Sequence, residues 1–312
     1  MNKQSKIYVA GHRGLIGSAI IRKLQAEGYE QLLTRTSAEL DLRNQAAVKE
    51  FFEAEKPEYV FLAAAKVGGI FANKEYPATF IYDNLCIQNN VIHFSYENGV
   101  KKLLFLGSSC IYPKESAQPI KEEYFLSGYL EPTNDAYAVA KIAGIKMCQS
   151  YHKQYGCNFI SAMPTNLYGP GDNYDLKNSH VLPALLRKFH EAKLRNDATV
   201  TVWGSGNPRR EFLHSDDAAA ACVYLMEHYN SPEIINIGTG KDISIGEMAL
   251  MIKKITGYEG QIIFDTSMPD GTFRKLLDVS RLEATGWEPK LGFEEGVRKT
   301  YEELDKNEAF RK

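Results

Sequence analysis

The sequence predicts an α/β fold built on a parallel sheet with helices on both faces. Three observations carry that prediction. Short apolar runs alternate with helix-spaced segments from the first residues onward. The turn after the first run is rich in glycine, at positions 11, 14 and 17. Long helical segments, about 76–98 and 134–155, separate the later runs by enough chain for crossovers between parallel strands.

In chain order, "KIYVAG" is the first strand, and "LIGSAIIRKLQAEG" follows with helical spacing and Gly28 as its stop. "QLLTRT" reads as the second strand, and "NQAAVKEFFEAEKP" as a helix whose end is marked by Pro57. "YVFLAAA", "KLLFLGSS" and "FISAMPTN" are the third, fourth and fifth strands. Beyond about residue 165 the rhythm loosens. Short strands ("TVTVWG", "IINIG", "QIIFD") mix with helices and with loops such as "GPGDNYD" and "GSGNPRREF". The expected organisation is a domain over residues 1–165, joined by returning segments near 215–240, and a smaller α/β domain over most of 166–312.

The 312 residues suffice for one large domain or two unequal ones. A net charge of −2 gives no nucleic-acid footprint and no polybasic membrane patch. No apolar stretch approaches spanning length, and the start "MNKQSKIYVAG" shows no signal-peptide core. The cysteines at 86, 110, 148, 157 and 222 form no C-x-x-C, which suits reduced thiols in a cytoplasmic protein; no metal site is expected.

"GHRGLIG" lies between the first strand and the first helix. That placement suits a tight turn, close backbone approach to a pyrophosphate, and a helix N-terminus facing the phosphates. The fold class is therefore a Rossmann-type doubly wound parallel sheet with a smaller α/β C-terminal substrate domain. The second strand ends "LLTRTSAEL", with Arg35 at its end and Arg13 inside the glycine turn, while Glu39 and Asp41 come later. Basic residues here favour NADP(H) over NAD, because they accommodate a 2′-phosphate.

The fourth strand ends in "GSSCIYPKE", with hydroxyls at 108 and 109 and a thiol at Cys110. "DAYAVAKIAG" puts Tyr137 and Lys141 four apart on one helix face. A phenol beside an ammonium is a reasonable proton relay. Alone, the same spacing would describe an amphipathic surface; the glycine turn and Ser108 cluster upstream give it weight.

Together these features resemble the extended short-chain dehydrogenase/reductase family of sugar-nucleotide enzymes. "AGHRGLIGSAI", "AAAKVGGI", "LGSSCIYPK", "EPTNDAYAVAKIAGIK", "MPTNLYGP", "SHVLPALLRKFHEA", "VWGSG", "REFLH" and "DGTFRKLLDVSRL" resemble, over nearly the whole chain, the branch that makes GDP-L-fucose. That resemblance implies conversion of GDP-4-keto-6-deoxy-D-mannose with NADPH, by epimerisation at C3 and C5 and reduction at C4.

It also implies roles. Ser108, Tyr137 and Lys141 would be the reductase triad, with Tyr137 as proton donor and Lys141 depressing its pKa and holding the nicotinamide ribose. Cys110 and His180 would be the acid/base pair of epimerisation. The cofactor would lie along Gly11, His12, Arg13, Gly14, Leu15, Ile16 and Gly17, with Arg35 and Ser37 at its adenosine end. It would continue past Leu106, Gly107 and Ser108, then Lys141, then Pro164, Thr165, Asn166 and Leu167, with His180 near the nicotinamide. Arg187, Trp203, Arg210 and Asp270 would contact the GDP-sugar. Ser37 is a departure, since close bacterial relatives can carry arginine there; Arg13 and Arg35 then supply the positive charge.

The chemistry fits independently. A C4 ketone acidifies the C3 and C5 hydrogens, and inversion needs two groups able to give and take protons near neutrality, as imidazole and thiol do. Read without the resemblance, His180 caps or packs the helix "VLPALLRKFHEA", Cys110 is a small core residue, Trp203 is packing, and Arg210 pairs with Glu211 or Asp216. Two rival readings are another sugar-nucleotide 4-epimerase or reductase on the same scaffold, and a non-catalytic NADP-sensing protein. A 4,6-dehydratase would be expected to carry an acidic pair where Cys-Ile follows the serines, and a sensor has no need of the triad.

A homodimer is also expected. Segment 76–98 carries Phe80, Ile81, Leu85, Ile87, Val91, Ile92 and Phe94, too much apolar circumference for one buried stripe. Ala140, Ala143 and Gly144 in 134–155 are small enough for close helix approach.

Overall fold

The computed structural model describes residues 1–176, 179–268 and 270–306. Its first half runs β1 (Ile7–Ala10), α1 (Leu15–Ala26), β2 (Leu32–Leu33), α2 (Gln45–Glu55), β3 (Tyr59–Leu62), α3 (Ile70–Glu75), α4 (Pro77–Glu97), β4 (Lys102–Leu106), α5 (Asp135–Tyr155) and β5 (Phe159–Pro164). The second half runs β6 (Asn166–Tyr168), α6 (Val181–Arg195), β7 (Thr199–Trp203), β8 (Arg209–His214), α7 (Ser215–His228), β9 (Ile235–Ile237) and β10 (Asp242–Ser244). It closes with α8 (Ile245–Thr256), β11 (Gln261–Asp265), β12 (Arg274–Lys275), α9 (Ser280–Glu283) and α10 (Phe293–Lys306).

The main sheet has the order β2-β1-β3-β4-β5-β9 among the described residues, and its paired strands are parallel. Both faces are covered, so neighbouring residues of one strand enter different cores. Tyr8, Val60, Leu103 and Phe105 pack with Val48 and Phe52 of α2, Val91 and Ile92 of α4, and Ile145 of α5. Ile7, Val9, Phe61 and Leu104 pack on the other side with Ile20 and Leu24 of α1 and Ala219 and Cys222 of α7. The second strand shrinks to Leu32–Leu33, because it lies at the sheet edge with β1 as its neighbour and stays half-buried.

The smaller sheets have β8 at their centre, paired with β6 and β12 in parallel and with β10 antiparallel; β7 and β11 form a separate parallel pair. A third core gathers Leu186 and Phe189 of α6, Val202 of β7, Phe212 of β8, Ile252 of α8 and Val297 of α10.

One buried side chain fastens this part to the main sheet. Glu211 is fully buried, and its Oε1 accepts the N–H groups of Thr239 (2.5 Å) and Gly240 (2.8 Å) while Oε2 accepts that of Leu277 (2.9 Å). Its carbonyl accepts from Asn166 Nδ2 (2.8 Å) and Thr165 Oγ1 (3.2 Å). Burial pushes the Glu211 carboxyl up, and the three backbone donors oppose that.

Two of the small residues of α5, Ala140 and Gly144, pack within the chain itself. Ala140 is fully buried, and its carbonyl accepts Gln88 Nε2 at 2.6 Å. A Cβ on Gly144 would stand 2.4 Å from Phe105 Cζ, so the missing side chain lets α5 settle on β4. Likewise Phe80, Val91, Ile92 and Phe94 of α4 are buried within this chain.

Candidate active site

The glycine turn has the shape a dinucleotide pyrophosphate requires. Gly11 has φ +83°, and a Cβ there would meet Ala64 Cα at 2.7 Å. A Cβ on Gly17 would stand 2.1 Å from the Gly11 carbonyl. Gly14 caps α1 with no side-chain hydrogen bond, leaving the first-turn N–H groups open to a phosphate. His12 Nδ1 is buried and has no hydrogen-bond partner among the described residues. Leu15 and Ile16 open α1, with Ile16 packed against the core below.

At the adenosine end both nearby acids are occupied. Glu39 turns back to accept the Thr36 N–H (2.7 Å) and hydroxyl (2.9 Å), which hold its carboxyl below the usual range. Asp41 pairs with Arg43 at 2.9 Å. Arg35 is engaged too, donating to Glu55 and to the Thr34 carbonyl with its guanidinium over the Phe51 ring. Arg13 and Ser37 are exposed. The geometry suits a phosphate better than a ribose hydroxyl awaiting a free carboxylate.

The reductase candidates converge where β4 ends. Ser108 is extended, and its Oγ accepts the Cys110 N–H at 3.4 Å as the chain enters a single 3₁₀ turn at Ser109–Ile111. The turn's exit is fixed by Tyr112, whose buried hydroxyl donates to Asn236 Oδ1 at 2.6 Å. Tyr137 packs its ring edge-on against Phe80, centroids 6.3 Å apart. The Ser108 hydroxyl lies beside both the Tyr137 phenol and the Cys110 thiol. Burial pushes the phenol's pKa up and a thiolate at Cys110 would raise it further, while Ser108 opposes the rise. The phenol therefore keeps its proton.

Lys141 is buried and donates to the Leu106 carbonyl at 2.8 Å, with Nζ 5.8 Å from the centroid of the Tyr137 ring. Burial lowers it to about 8, against the opposing pull of Cys110. One of the Lys141 N–H groups thus ties α5 to the end of β4. Gly107 lies between Leu106 and Ser108, where a Cβ would strike Met163 Sδ at 2.4 Å.

Pro164 ends β5, Thr165 N–H donates to the Ile237 carbonyl at 2.9 Å, and Asn166 and Leu167 begin β6. His180 is the N-cap of α6 but makes no side-chain capping bond. Its ring is open to water, yet it sits in crowded protein surroundings; burial first, then the Lys275 charge, lower its pKa.

The sugar-nucleotide candidates lie on the smaller sheets and α6. Arg187 Nε pairs with Glu191 at 2.7 Å, and its Nη1 donates to the Tyr174 carbonyl at 3.1 Å. Trp203 is largely exposed with Lys188 Nζ 5.0 Å from its ring centroid, so it is not a packing residue. Arg210 pairs with neither Glu211 nor Asp216: its Nη1 donates to the Arg209 carbonyl, and burial lowers its pKa. Asp270 accepts from Ser205 N–H (2.6 Å) and Oγ (2.8 Å), fixing the Gly204 turn.

Two groups escaped the sequence reading. Lys275 stands beside Arg210 in register on β12 and faces Cys110 and His180 electrostatically. Asp172 is pushed by burial up to about 7, with Oδ2 lacking a partner among the described residues. The only local signal for either was its place in a block already quoted, "DGTFRKLLDVSRL" or "GPGDNYD".

Comparison with known proteins shows the family to which the chain belongs. Residues 7–238 match the model of the "NAD dependent epimerase/dehydratase family". The chain is 59% identical over 302 residues to "Putative GDP-L-fucose synthase 2" of Arabidopsis thaliana, covering 97% of this chain and 92% of the relative. It is 54% identical to the GDP-L-fucose synthase of Escherichia coli (strain K12), with both chains fully covered. A solved GDP-L-fucose synthetase from Naegleria fowleri, bound to NADP, superposes with a TM-score of 0.92 at 32% identity, covering 99% of this chain and 96% of the other. The chain belongs to the NAD dependent epimerase/dehydratase family and, within it, to the GDP-L-fucose synthase group.

Proposed function

We propose that the chain converts GDP-4-keto-6-deoxy-D-mannose to GDP-L-fucose with NADPH, epimerising C3 and C5 and then reducing C4. The observation that carries this reading is the meeting of a phenol that keeps its proton, a serine hydroxyl and a thiol at the end of β4. When bound along the Gly11–Gly17 turn and Lys141, NADPH supplies the hydride for C4. Residues 1–165 with 215–240 would hold that cofactor, and most of 166–312 the GDP-sugar.

Ser108 hydrogen-bonds the C4 oxygen, and Tyr137 delivers its proton there as the ketone is reduced. During epimerisation the same contacts stabilise the enolate oxygen. Cys110 and His180 exchange protons with C3 and C5 from opposite faces. Arg210, free of any carboxylate partner among the described residues, suits the diphosphate, as do Arg187 and the Trp203 face for the rest of the nucleotide. The test is NADPH oxidation with GDP-4-keto-6-deoxy-D-mannose, product identified by mass spectrometry and NMR. Stoichiometric NADPH loss with GDP-L-fucose is expected. A 4-epimerase would return the hydride and consume none, a sensor would bind NADPH without turnover, and a plain C4 reductase would leave C3 and C5 unaltered.

Oligomeric state follows a separate observation. Tyr76 and Tyr82 around α4, Val67 and Phe71 before it, and Val139 and Tyr155 on α5 expose large apolar surface. We infer a homodimer through α4 and α5 of each subunit. Light scattering at micromolar concentration should give twice the 35.1 kDa chain mass, and Tyr82→Glu should shift it toward monomer. A monomeric parent protein overturns this reading.

Among the described residues no helix is long and apolar enough to cross a membrane. All five cysteines are free, which supports a reducing, cytoplasmic setting.

A further inference from the structure

Four cations face each other across β8 and β12, and the structure sorts them into two kinds. Arg209 is in register with Arg274, and both reach the Asp242 carboxylate. Arg210 is in register with Lys275, on the alternate face of the same two strands. Neither of these has a carboxylate within ion-pair distance among the described residues, unlike the pair one position earlier. Two unpaired cations on one face of a short ladder are costly unless something anionic completes them.

Arg210 lies against the Gly271 turn, its Nη2 3.5 Å from where a Cβ would stand. Lys275 has different company. The chain just beyond it is laced to the loop that leaves Cys110: Leu276 N–H donates to Gln118 Oε1 at 2.8 Å, and Ile120 N–H donates to the Leu276 carbonyl at 2.7 Å. Asp278 N–H donates to the Ile120 carbonyl at 2.8 Å. These bonds hold β12 in a fixed position relative to the loop that leaves the thiol.

We propose that Lys275 is a positioning residue for epimerisation, whose ammonium stabilises the Cys110 thiolate and so makes Cys110 competent to take a proton from the sugar. This rests on the acid/base reading of Cys110 given above. The charges that face the thiol are few. Lys275 acts from β12 and Lys141 from α5, both favouring the thiolate, with the Ser108 hydroxyl helping; the Tyr137 phenol is also adjacent. Burial opposes all three and wins in the free protein, so the thiol is the resting form. Lys141 is already committed to the Leu106 carbonyl. Among the described residues Lys275 has no such bond, and it is the stronger of the two charges acting on the sulfur. The groups facing Lys275 in turn are Cys110, Arg210, Glu131 and His180, and Glu131 is itself paired with Lys114 at 3.2 Å.

The experiment follows alkylation of Cys110 by iodoacetamide from about pH 7 to 11.5, read at the Cys110 peptide by mass spectrometry, together with solvent deuterium uptake at C3 and C5. Lys275→Met should move the alkylation midpoint up by about one pH unit, the tenfold change expected on losing an adjacent charge. Deuterium uptake near neutrality should fall by a similar factor while the KM for the GDP-sugar changes less, and Lys275→Arg should restore both. An unchanged alkylation profile with a raised KM overturns the proposal and makes Lys275 a phosphate ligand only. If Lys275→Met does not bind NADPH, the reciprocal titration decides. Lys275 followed by reductive ¹³C-methylation must titrate at lower pH in Cys110→Ala, and an unchanged curve overturns the proposal. Deuterium uptake that survives in Cys110→Ala would instead sink the reading of Cys110, which the alkylation profile does not depend on.

Discussion

Tyr137→Phe should slow hydride transfer to GDP-4-keto-6-deoxy-D-mannose by about 10²–10⁴-fold, the range typical of losing a positioned general acid. The substitution removes one oxygen and leaves the ring in its edge-on contact with Phe80, so the fold of α5 is undisturbed. NADPH affinity should stay close to that of the parent, because the glycine turn and the Lys141–Leu106 bond are untouched. Single-turnover NADPH oxidation measures the step directly. The size of the loss follows from the environment of the phenol. Half-buried beside a thiol and a serine, it holds its proton until negative charge grows on an acceptor within reach. Near-parent turnover would mean that the proton comes from another group.

Cys110→Ala should reduce deuterium uptake from heavy water at C3 and C5 by a comparable factor, about 10²–10⁴-fold. The Ser108 hydroxyl, Tyr137 and Lys141 remain, so reduction should continue and yield an incompletely epimerised 6-deoxy sugar. Mass spectrometry of the GDP-sugar reads both outcomes at once. The small side chain leaves little packing debt, since the thiol sits in a short turn already pinned by the Tyr112–Asn236 bond. Exchange at the parent rate would reduce Cys110 to a packing residue and remove the epimerase role from it.

The two halves of the chain were legible to different depths. β1, β3, β4 and β5 were plain in the sequence because both their faces are buried, so each is a nearly unbroken apolar run. The second strand was overestimated because "QLLTRT" is apolar only where it meets β1. β6, β8, β10 and β12 were missed as strands. β6, β10 and β12 are only two or three residues long and β8 opens on two arginines and a glutamate, while their partners lie tens of residues away, so no local period announces them. The same holds for site residues. Ser108, Tyr137 and Lys141 have short-range signatures at a strand end and along one helix face. Lys275 acquires meaning only when β12 is set beside β8, and Glu211 only when three distant backbone segments close around it. The contact of Gly144 with Phe105 was not legible, because sequence spacing does not say which face of a helix meets the sheet.

Glu211 also bears on how the molecule can open. Its carboxylate and carbonyl bind segments at 165–166, 239–240 and 277, which are the exits of β5, β9 and β12. A Cβ on Gly238 would strike its Oε1 at 2.2 Å, so the packing around it has no slack. A seam built this way behaves as a weld. Separating the halves there would strip hydrogen bonds from one buried carboxylate all at once, with no water to replace them. Any breathing that admits a sugar nucleotide must therefore leave this seam closed and be carried elsewhere around the cleft. The cations of β8 and β12 stand on the welded side, on the strand that carries Glu211 and on its neighbour in register.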